Sequence, residues 1–528
     1  MRLWLKLGIA GGSLFMFGTL FGFAIFPPFL KSQLKKQVTL KPGGDVRKMW
    51  EVVPFGIDFR VYLFNITNPD EIKTGAKPIV KEVGPFFYEE YKEKVDIVDN
   101  EEEDTAEYSN KVTWKFNLEK TGAGLSEETV ITFPHLMILS MIMTVLREKP
   151  GMIGFAAKAV DSIFHKPDSI FFKATVKEFL WTGLPVDCTV QDLQGKAICS
   201  LLAENEGAFI KEGPQRYRFA LLGAKNGTVV PDRIKVRRGL KNYLEVGEVI
   251  EVKGEKKQKV WAENGPCNDY QGTDTTIFHA LLYEDEDVVS FATDLCISLP
   301  AYYRAPSNVK GIPTNQYTAD FGDMNKDEHL KCLCPAPDKC MKKGYIDLFP
   351  CLGAPMIASL PHFYLADPIY LSQVDGLRPK KEDHEIFMNF VALAGAPIEA
   401  AKRLQFSMFI QPVEKFKLMK TFPNALLPLF WVEEGVLLDD EYLAPLKMLF
   451  TMITIVNVMK WLMMAGGLAL AGTSGFLKYK EMQASQKLTI TKVSPKVTAN
   501  GNAPGSTEKK WPLNVSTLQS QNVPGIDN

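Results

Sequence analysis

Residues 331–340 read "KCLCPAPDKC", three cysteines around two prolines. Thiols at this spacing open three kinds of chemistry. As thiolates they could ligate zinc, and as a low-pKa pair they could exchange disulfides. In an oxidising compartment they would be structural cross-links. The other chemistry-bearing residues are sparse. The six histidines (His135, His165, His279, His329, His362 and His384) show no metal-ligand spacing. His362, in "SLPHFYL", is the one worth singling out, and a hydrogen-bonded structural role is its simpler reading. No H-E-x-x-H, Walker A, G-x-S-x-G or dinucleotide pattern occurs, and no two carboxylates are paired for acid–base work. The expectation is a non-enzymatic protein with no catalytic residue, no metal and no cofactor.

The compartment decides what the cysteines do, and the elements that carry the chain through a membrane decide the compartment. Residues 7–30, "LGIAGGSLFMFGTLFGFAIFPPFL", contain no charge. About 20 apolar residues cross a bilayer as a helix, so residues 7–26 read as an uncleaved signal anchor after a short N-terminus, 1–6. A second apolar run, residues 448–477, is interrupted only by Lys460. Lys460 and Trp461 are read as an interface anchor, leaving 455–477 in the membrane. The tail, 478–528, carries seven lysines against three acids and is rich in Ser, Thr, Asn and Gly, the composition of a cytosolic, disordered segment. Two spans place both termini on one side, so residues 27–454 form an exported ectodomain. All eight cysteines, Cys188 to Cys351, lie in that interval, as do the sequons at Asn65 and Asn226. A third sequon, at Asn514, falls in the tail and stays unused in this topology. A net charge of −1 gives no basic face for nucleic acid.

Within the ectodomain, "LKSQLKKQV" has the spacing of a short amphipathic helix, and Asp45 caps a second one in "DVRKMWEVV". Strands follow. "KVTWKFNLEK" alternates, with Val112, Trp114, Phe116 and Leu118 on one face. "FRVYLFNIT", "RYRFALLGA", "VGEVIEVKG", "RLQFSMFIQPV" and "LPLFWVEEG" are further strands, on both sides of the cysteine-rich segment. A helical island, residues 133–164, is apolar nearly all round for its first 14 residues and rich in methionine. It reads either as a buried helical hairpin or as an adaptable Met-lined cavity mouth. A third helix is expected in "DSIFFKATVKEFLW", capped by Asp168. The acidic stretch 100–110 is expected to be a loop, and 253–259 a hairpin tip. A body of this kind that passes a lipid needs an apolar passage: a sixteen-carbon chain requires roughly 13 kcal/mol of shelter, at about 0.8 kcal/mol per CH₂.

The stretches "VYLFNITNPDEI", "EVGPFFYEEYKEK", "GTDTTIF", "FATDLCISL", "GAPMIASLPHF" and "AKRLQFSMFIQP" resemble the class B scavenger receptor family, in order and from the first span through the second. The segment 30–65 is most similar to the type-one insect sensory neuron membrane branch. The resemblance implies a mainly β fold with α: an antiparallel β-barrel-like ectodomain with a hydrophobic tunnel, topped by an apical helix bundle at 133–181 and anchored by two transmembrane helices. It implies ligand capture at the apex by Lys166 with His165 beside it, and by Lys158 and Lys149 nearby. It also implies hydrophobic ligands such as lipid-derived pheromones or fatty acid derivatives, and an odorant receptor complex in the same membrane. It further implies pheromone-binding proteins as partners and the ciliary membrane of olfactory neurons as the location. The runner-up is a general uptake receptor for lipoproteins, carotenoids or fatty acids. A two-span ligand-gated channel, suggested by "GTS" at 472–474, is a distant third.

Topology and resemblance together answer the opening question. Outside the cell, disulfides persist and thiolates do not. Cys332 and Cys334 lie too close to pair with each other, and Cys334 with Cys340 closes a seven-residue loop stiffened by Pro335 and Pro337. Eight cysteines allow 105 connectivities. The resemblance selects Cys267–Cys332 and Cys296–Cys351, leaving Cys188–Cys199.

Overall fold

The alternation in "KVTWKF" becomes the strand Thr105–Phe116, one of thirteen in a single sheet. The computed structural model describes residues 2–204, 206–262, 265–336 and 338–492. Eleven of the strands lie side by side, all antiparallel. Their spatial order is Val249–Val252, Val229–Arg237, Thr105–Phe116, Val80–Asn100, Ile57–Ile66, Ala425–Leu437, Ala396–Ile410, Ile386–Val391, Ile312–Ala319, Ile297–Val309 and Val288–Ala292. Ile346–Asp347 and Met356–Ser359 branch from the Ala396–Ile410 strand. The two edges are stitched by residues 272–274: Val249 N donates to Gly272 O, Thr273 N to Val289 O, and Phe291 N to Thr273 O. The sheet is thereby nearly closed into a barrel. The seam requires glycine at 272, where φ is +77° and a Cβ would lie 2.1 Å from Val289 O.

Strand alternation then sorts side chains. Along Val80–Asn100, Phe86, Tyr88, Glu90, Lys92 and Lys94 project to the interior, while Glu89 and Tyr91 pair on the outside. One apolar cluster joins the inward residues Phe59, Val61, Leu63, Phe86, Tyr88 and Phe430 to two helices, Leu136–Glu148 and Ile153–Ile163. These helices cap one end of the barrel, burying Ile138, Leu139, Ile142 and Met143 from the first and Ile153, Ala156 and Val160 from the second. A smaller sheet (Leu184–Asp187, Arg216–Phe219, Ile210–Gly213) and the helix Leu193–Ala203 pack beside the cap through Ala159, Ile163, Val186 and Tyr217.

Several expectations change. The third helix over 168–181 is instead the strand Phe171–Thr175, paired with Val130–Pro134 and followed by a helical turn, Glu178–Thr182. Phe171 and Ala174 bury against the barrel cluster, a cross-strand requirement that outweighs local helix propensity. The acidic stretch 100–110 turns only at 101–104; from Thr105 it is a strand with Thr105, Ala106 and Tyr108 buried. Leu118 lies beyond its strand and is exposed. Gly44, not Asp45, is the N-cap of Asp45–Glu51; Asp45 occupies the first turn, where its charge suits the helix dipole. Past the second apolar run the chain stays helical to Lys492, so the start of the tail is helix rather than irregular. The rest of the tail, with Asn514, lies outside the described residues, as does Pro337.

The chain divides into two bodies, residues 20–458 and a terminal unit of 1–19 with 459–528. Two helical runs, Leu3–Gln37 and Asp440–Lys487, are long and apolar enough to cross a membrane. In the terminal unit they pack antiparallel: Arg2 Nη1 lies 2.6 Å from Glu481 Oε1, and Ser474 Oγ donates to Trp4 O at 2.5 Å. Lys460 stacks its ammonium 5.8 Å from the Trp461 ring centroid.

Candidate functional site

The apical residues named from the resemblance all lie on the cap. Lys149 closes the Leu136–Glu148 helix, and Lys158 is exposed on Ile153–Ile163. His165 and Lys166 follow that helix with φ of +56° each, and Lys166 N donates to Asp161 O at 2.8 Å. Two consecutive left-handed non-glycine residues are costly, by about 1–2 kcal/mol apiece, and turn the chain sharply at an exposed corner. His165 Nε2 sits 3.3 Å from Asp187 Oδ2. Lys149, Lys158 and Lys166 form no ion pair among the described residues, so the cap presents three uncompensated ammonium groups.

Beneath the cap the interior is aromatic. Tyr88 lies 5.3 Å from Phe116 and 4.9 Å from Trp181, and Trp114 lies 5.9 Å from Trp181 and 5.8 Å from Phe59. Tyr88 donates to Glu127 Oε1, and burial pushes its phenol well above the ordinary tyrosine value. His135, between Phe164 and Phe172, is held neutral because burial lowers it to about 4.

Further along the same inward faces the lining becomes ionic. Lys92 Nζ lies 2.8 Å from Glu434 Oε1 and 3.4 Å from Glu90 Oε2, and Lys402 Nζ lies 3.6 Å from Glu434 Oε1. Burial raises Glu90 to about 7, against the pull of Lys92. Burial would also raise Glu434, but Lys402 and Lys92 overcome it and hold that carboxyl at about 2. Next along the strand, Lys94 donates to Trp50 O and Thr276 Oγ1, with Asp274 Oδ2 3.7 Å away. Asp274 also accepts from Trp50 Nε1 and Tyr108 OH. This belt is missing from the sequence reading. Its one signal is "YEEYKEK", a strand whose apolar alternation stops while the strand continues.

His362 is placed on the outer face of the same wall. Its Nε2 donates to Glu82 Oε2 at 2.6 Å, and Trp431 Nε1 donates to the same oxygen at 2.7 Å. His384 stacks on it, with ring centroids 4.4 Å apart. Glu82, His362 and His384 bring ligand-type atoms within 4.8 Å of one another. A metal nevertheless fits poorly. Nδ1 of each histidine accepts a backbone N–H, from Arg378 and Lys380, which leaves the proton on Nε2. A metal-bound imidazole needs the reverse, one nitrogen free for the ion and the other donating. Burial and the neighbouring His362 lower His384 to about 4. The cluster is a hydrogen-bonded brace between the wall and the 361–385 segment.

The eight cysteines form four bridges, Cys188–Cys199, Cys267–Cys332, Cys296–Cys351 and Cys334–Cys340, and none is free. No thiolate is left to hold zinc. Cys334 packs with Trp261, Leu333 and Ile346 against the barrel wall, and Trp261 Nε1 donates to Cys296 O. Cys188 and Cys199 pack with Ala159 and Ile163 of the cap. Of the sequons, Asn226 is exposed in a turn, whereas Asn65 is half-buried on a strand with its Oδ1 accepting from Thr132 N.

The chain thus combines a disulfide-braced β-barrel body, with an ionic belt inside and a helical cap, and two helices of membrane-spanning length, the parts of a membrane receptor. The sequence pattern of the CD36 family matches residues 9–478, and the chain belongs to that family. It is 50% identical to sensory neuron membrane protein 1 of Apis mellifera over 521 residues, 98% of each chain. It is 41% identical to the protein of that name from Ostrinia furnacalis over 527 residues, 99% of each chain. With the Manduca sexta protein it shares 41% over 498 residues, 93% of this chain and 95% of the relative.

Proposed function

We propose that this receptor takes hydrophobic, fatty-acid-derived ligands at its apical cap and passes them through the barrel interior toward the membrane. The observation that carries this reading is the continuity of the apolar cluster: the Met-bearing cap helices and the inward barrel residues belong to one packed surface. An apolar chain entering between the cap helices passes the aromatic rings of Tyr88, Phe116 and Trp181 before it reaches Glu90. Lys166, with His165, Lys158 and Lys149, draws the polar end of the ligand to the entrance. The relatives' name, sensory neuron membrane protein, supports a place in a sensory neuron membrane; there, in the cilia of olfactory neurons, the receptor hands pheromones from binding proteins to an odorant receptor complex. The basic tail supports cytosolic termini and an extracellular barrel. The protein acts as a receptor, without catalysis.

The test expresses the full chain with an odorant receptor and applies a long-chain acetate or aldehyde. Lys166→Glu, or bulky substitution of Ala157 on the cap, lowers the evoked response several-fold at unchanged surface expression. An unchanged response overturns this entry route. A current from the chain expressed alone would instead make it a channel.

A further inference from the structure

The barrel interior has spare hydrogen-bond donors at one level, and they lie where its apolar lining ends. Glu90, Lys92, Lys402 and Glu434 come from three strands that bring their inward faces together. Lys92 and Glu434 project to the barrel interior from their strands yet keep 23% and 27% of their side-chain surface accessible. An enclosed side chain that is still accessible faces an internal space. Lys402 is 34% accessible, and its Nζ is 3.6 Å from Glu434, beyond hydrogen-bond length. Trp114, paired across the strands with Glu90, has a buried Nε1–H with no acceptor. Glu90, only 4% exposed, has an Oε2 that accepts no hydrogen bond, its nearest cation being Lys92 at 3.4 Å. Buried polar groups are normally satisfied, so the spare Lys402 and Trp114 donors around an internal space, beside an aromatic wall, call for an acceptor, while the Glu90 oxygen is left facing Lys92.

We propose that Lys92, Lys402 and Trp114, with Glu90 and Glu434 positioning the two lysines, form the seat for the polar head of a single-chain amphiphile, one whose head carries an acceptor oxygen. Its chain lies against Tyr88, Phe116 and Trp181. This rests on the reading of the interior as a ligand passage and adds where the ligand stops and what its head must be. Lys402, Lys92 and the Trp114 indole donate to the head oxygen. A carboxylate and an ester or aldehyde carbonyl share this chemistry; an alkane lacks it.

The experiment uses the full chain in nanodiscs and follows tryptophan quenching by three sixteen-carbon brominated probes: the free acid, its methyl ester and the alkane. The acid, the ester or both bind at least tenfold more tightly than the alkane. Lys402→Met removes that advantage without changing alkane binding, and Lys402→Arg restores it. Should Lys402→Met fold poorly, the charge-balanced pair Lys92→Met with Glu434→Gln gives the same readout. An advantage of the acid alone assigns a carboxylate head, and an advantage of both assigns a carbonyl oxygen. An undiminished advantage in folded variants, or no advantage in the wild type, overturns the seat. Failure of every probe, the alkane included, overturns the passage itself.

Discussion

Lys92 and Glu434 meet inside the barrel, Nζ to Oε1 at 2.8 Å, on strands that flank the Ile57–Ile66 strand between them. Such a pair is weak evidence of net stabilisation, but removing one member strands the other. Glu434→Gln leaves both Lys92 and Lys402 without their carboxylate and costs about 3–5 kcal/mol. Adding Lys92→Met recovers part of that loss. Thermal unfolding of the two variants in nanodiscs checks the order; a single variant as stable as wild type would count against a buried pair.

Glu90 behaves oppositely to Glu434 with pH. Its folded value of about 7 lies above the ordinary 4.5, so the folded state binds more protons between these values and stability falls as pH rises through that window. Glu90→Gln mimics the protonated carboxyl. It stabilises the protein at pH 8, by about 3 kcal/mol, and far less at pH 5. Glu434, held at about 2, stabilises above pH 4.5 and loses that contribution as pH falls toward 2. Melting curves of wild type and Glu90→Gln at the two pH values measure the difference, and equal shifts at both would refute the assignment.

In the terminal unit, Gly11 and Gly467 let the two helices touch. A Cβ at Gly11 would lie 2.7 Å from Gly467 O, and one at Gly467 would lie 2.7 Å from Gly11 O. Small residues at such a crossing are what membrane helices use to pack. A Cβ at Gly8 would stand 3.6 Å from Ser474 Cβ, close to disulfide geometry. Gly8→Cys with Ser474→Cys therefore cross-links under mild oxidation, detected as two fragments held together after proteolysis. Adding Gly11→Leu abolishes the cross-link. Gly12→Leu, where nothing lies within 4 Å, leaves it intact.

The barrel seam depends on Gly272. Gly272→Ala forces a Cβ onto Val289 O and strains a φ of +77°. The expected result is a loss of at least 2 kcal/mol, with hydrogen exchange accelerating at Val249 and Phe291, whose amides border the seam. Uniform acceleration across the barrel would mean that the seam does not open separately.

Asn226 and Asn65 differ as glycan acceptors. Asn226→Gln removes one endoglycosidase-sensitive mass step in secreting cells. Asn65→Gln changes the mass less, because that side chain is half-buried on a strand whereas Asn226 is exposed in a turn.

The two membrane-length runs, the cysteines confined between them and the alternating strands were legible because each depends on composition or on neighbours a few residues apart. So was the Met-rich helical pair, a run apolar nearly all round in its first part and too short to cross a bilayer. Residues 168–181 were misread because a short apolar run suits either helix or strand, and only pairing with Val130–Pro134 decides. The ionic belt was invisible for a deeper reason. In "YEEYKEK" both faces of the strand carry charge, so no hydrophobic difference marks the inward one, and Glu434 and Lys402 lie more than 300 residues away. His362 likewise drew attention by its setting, but Glu82, 280 positions earlier, gives it its role. The sequence alone pointed to the membrane class, the cross-linking role of the cysteines and the β-rich body. Closure of the barrel decided which charges face inward, because burial of a charged residue is set by its distant partners and not by its own neighbours.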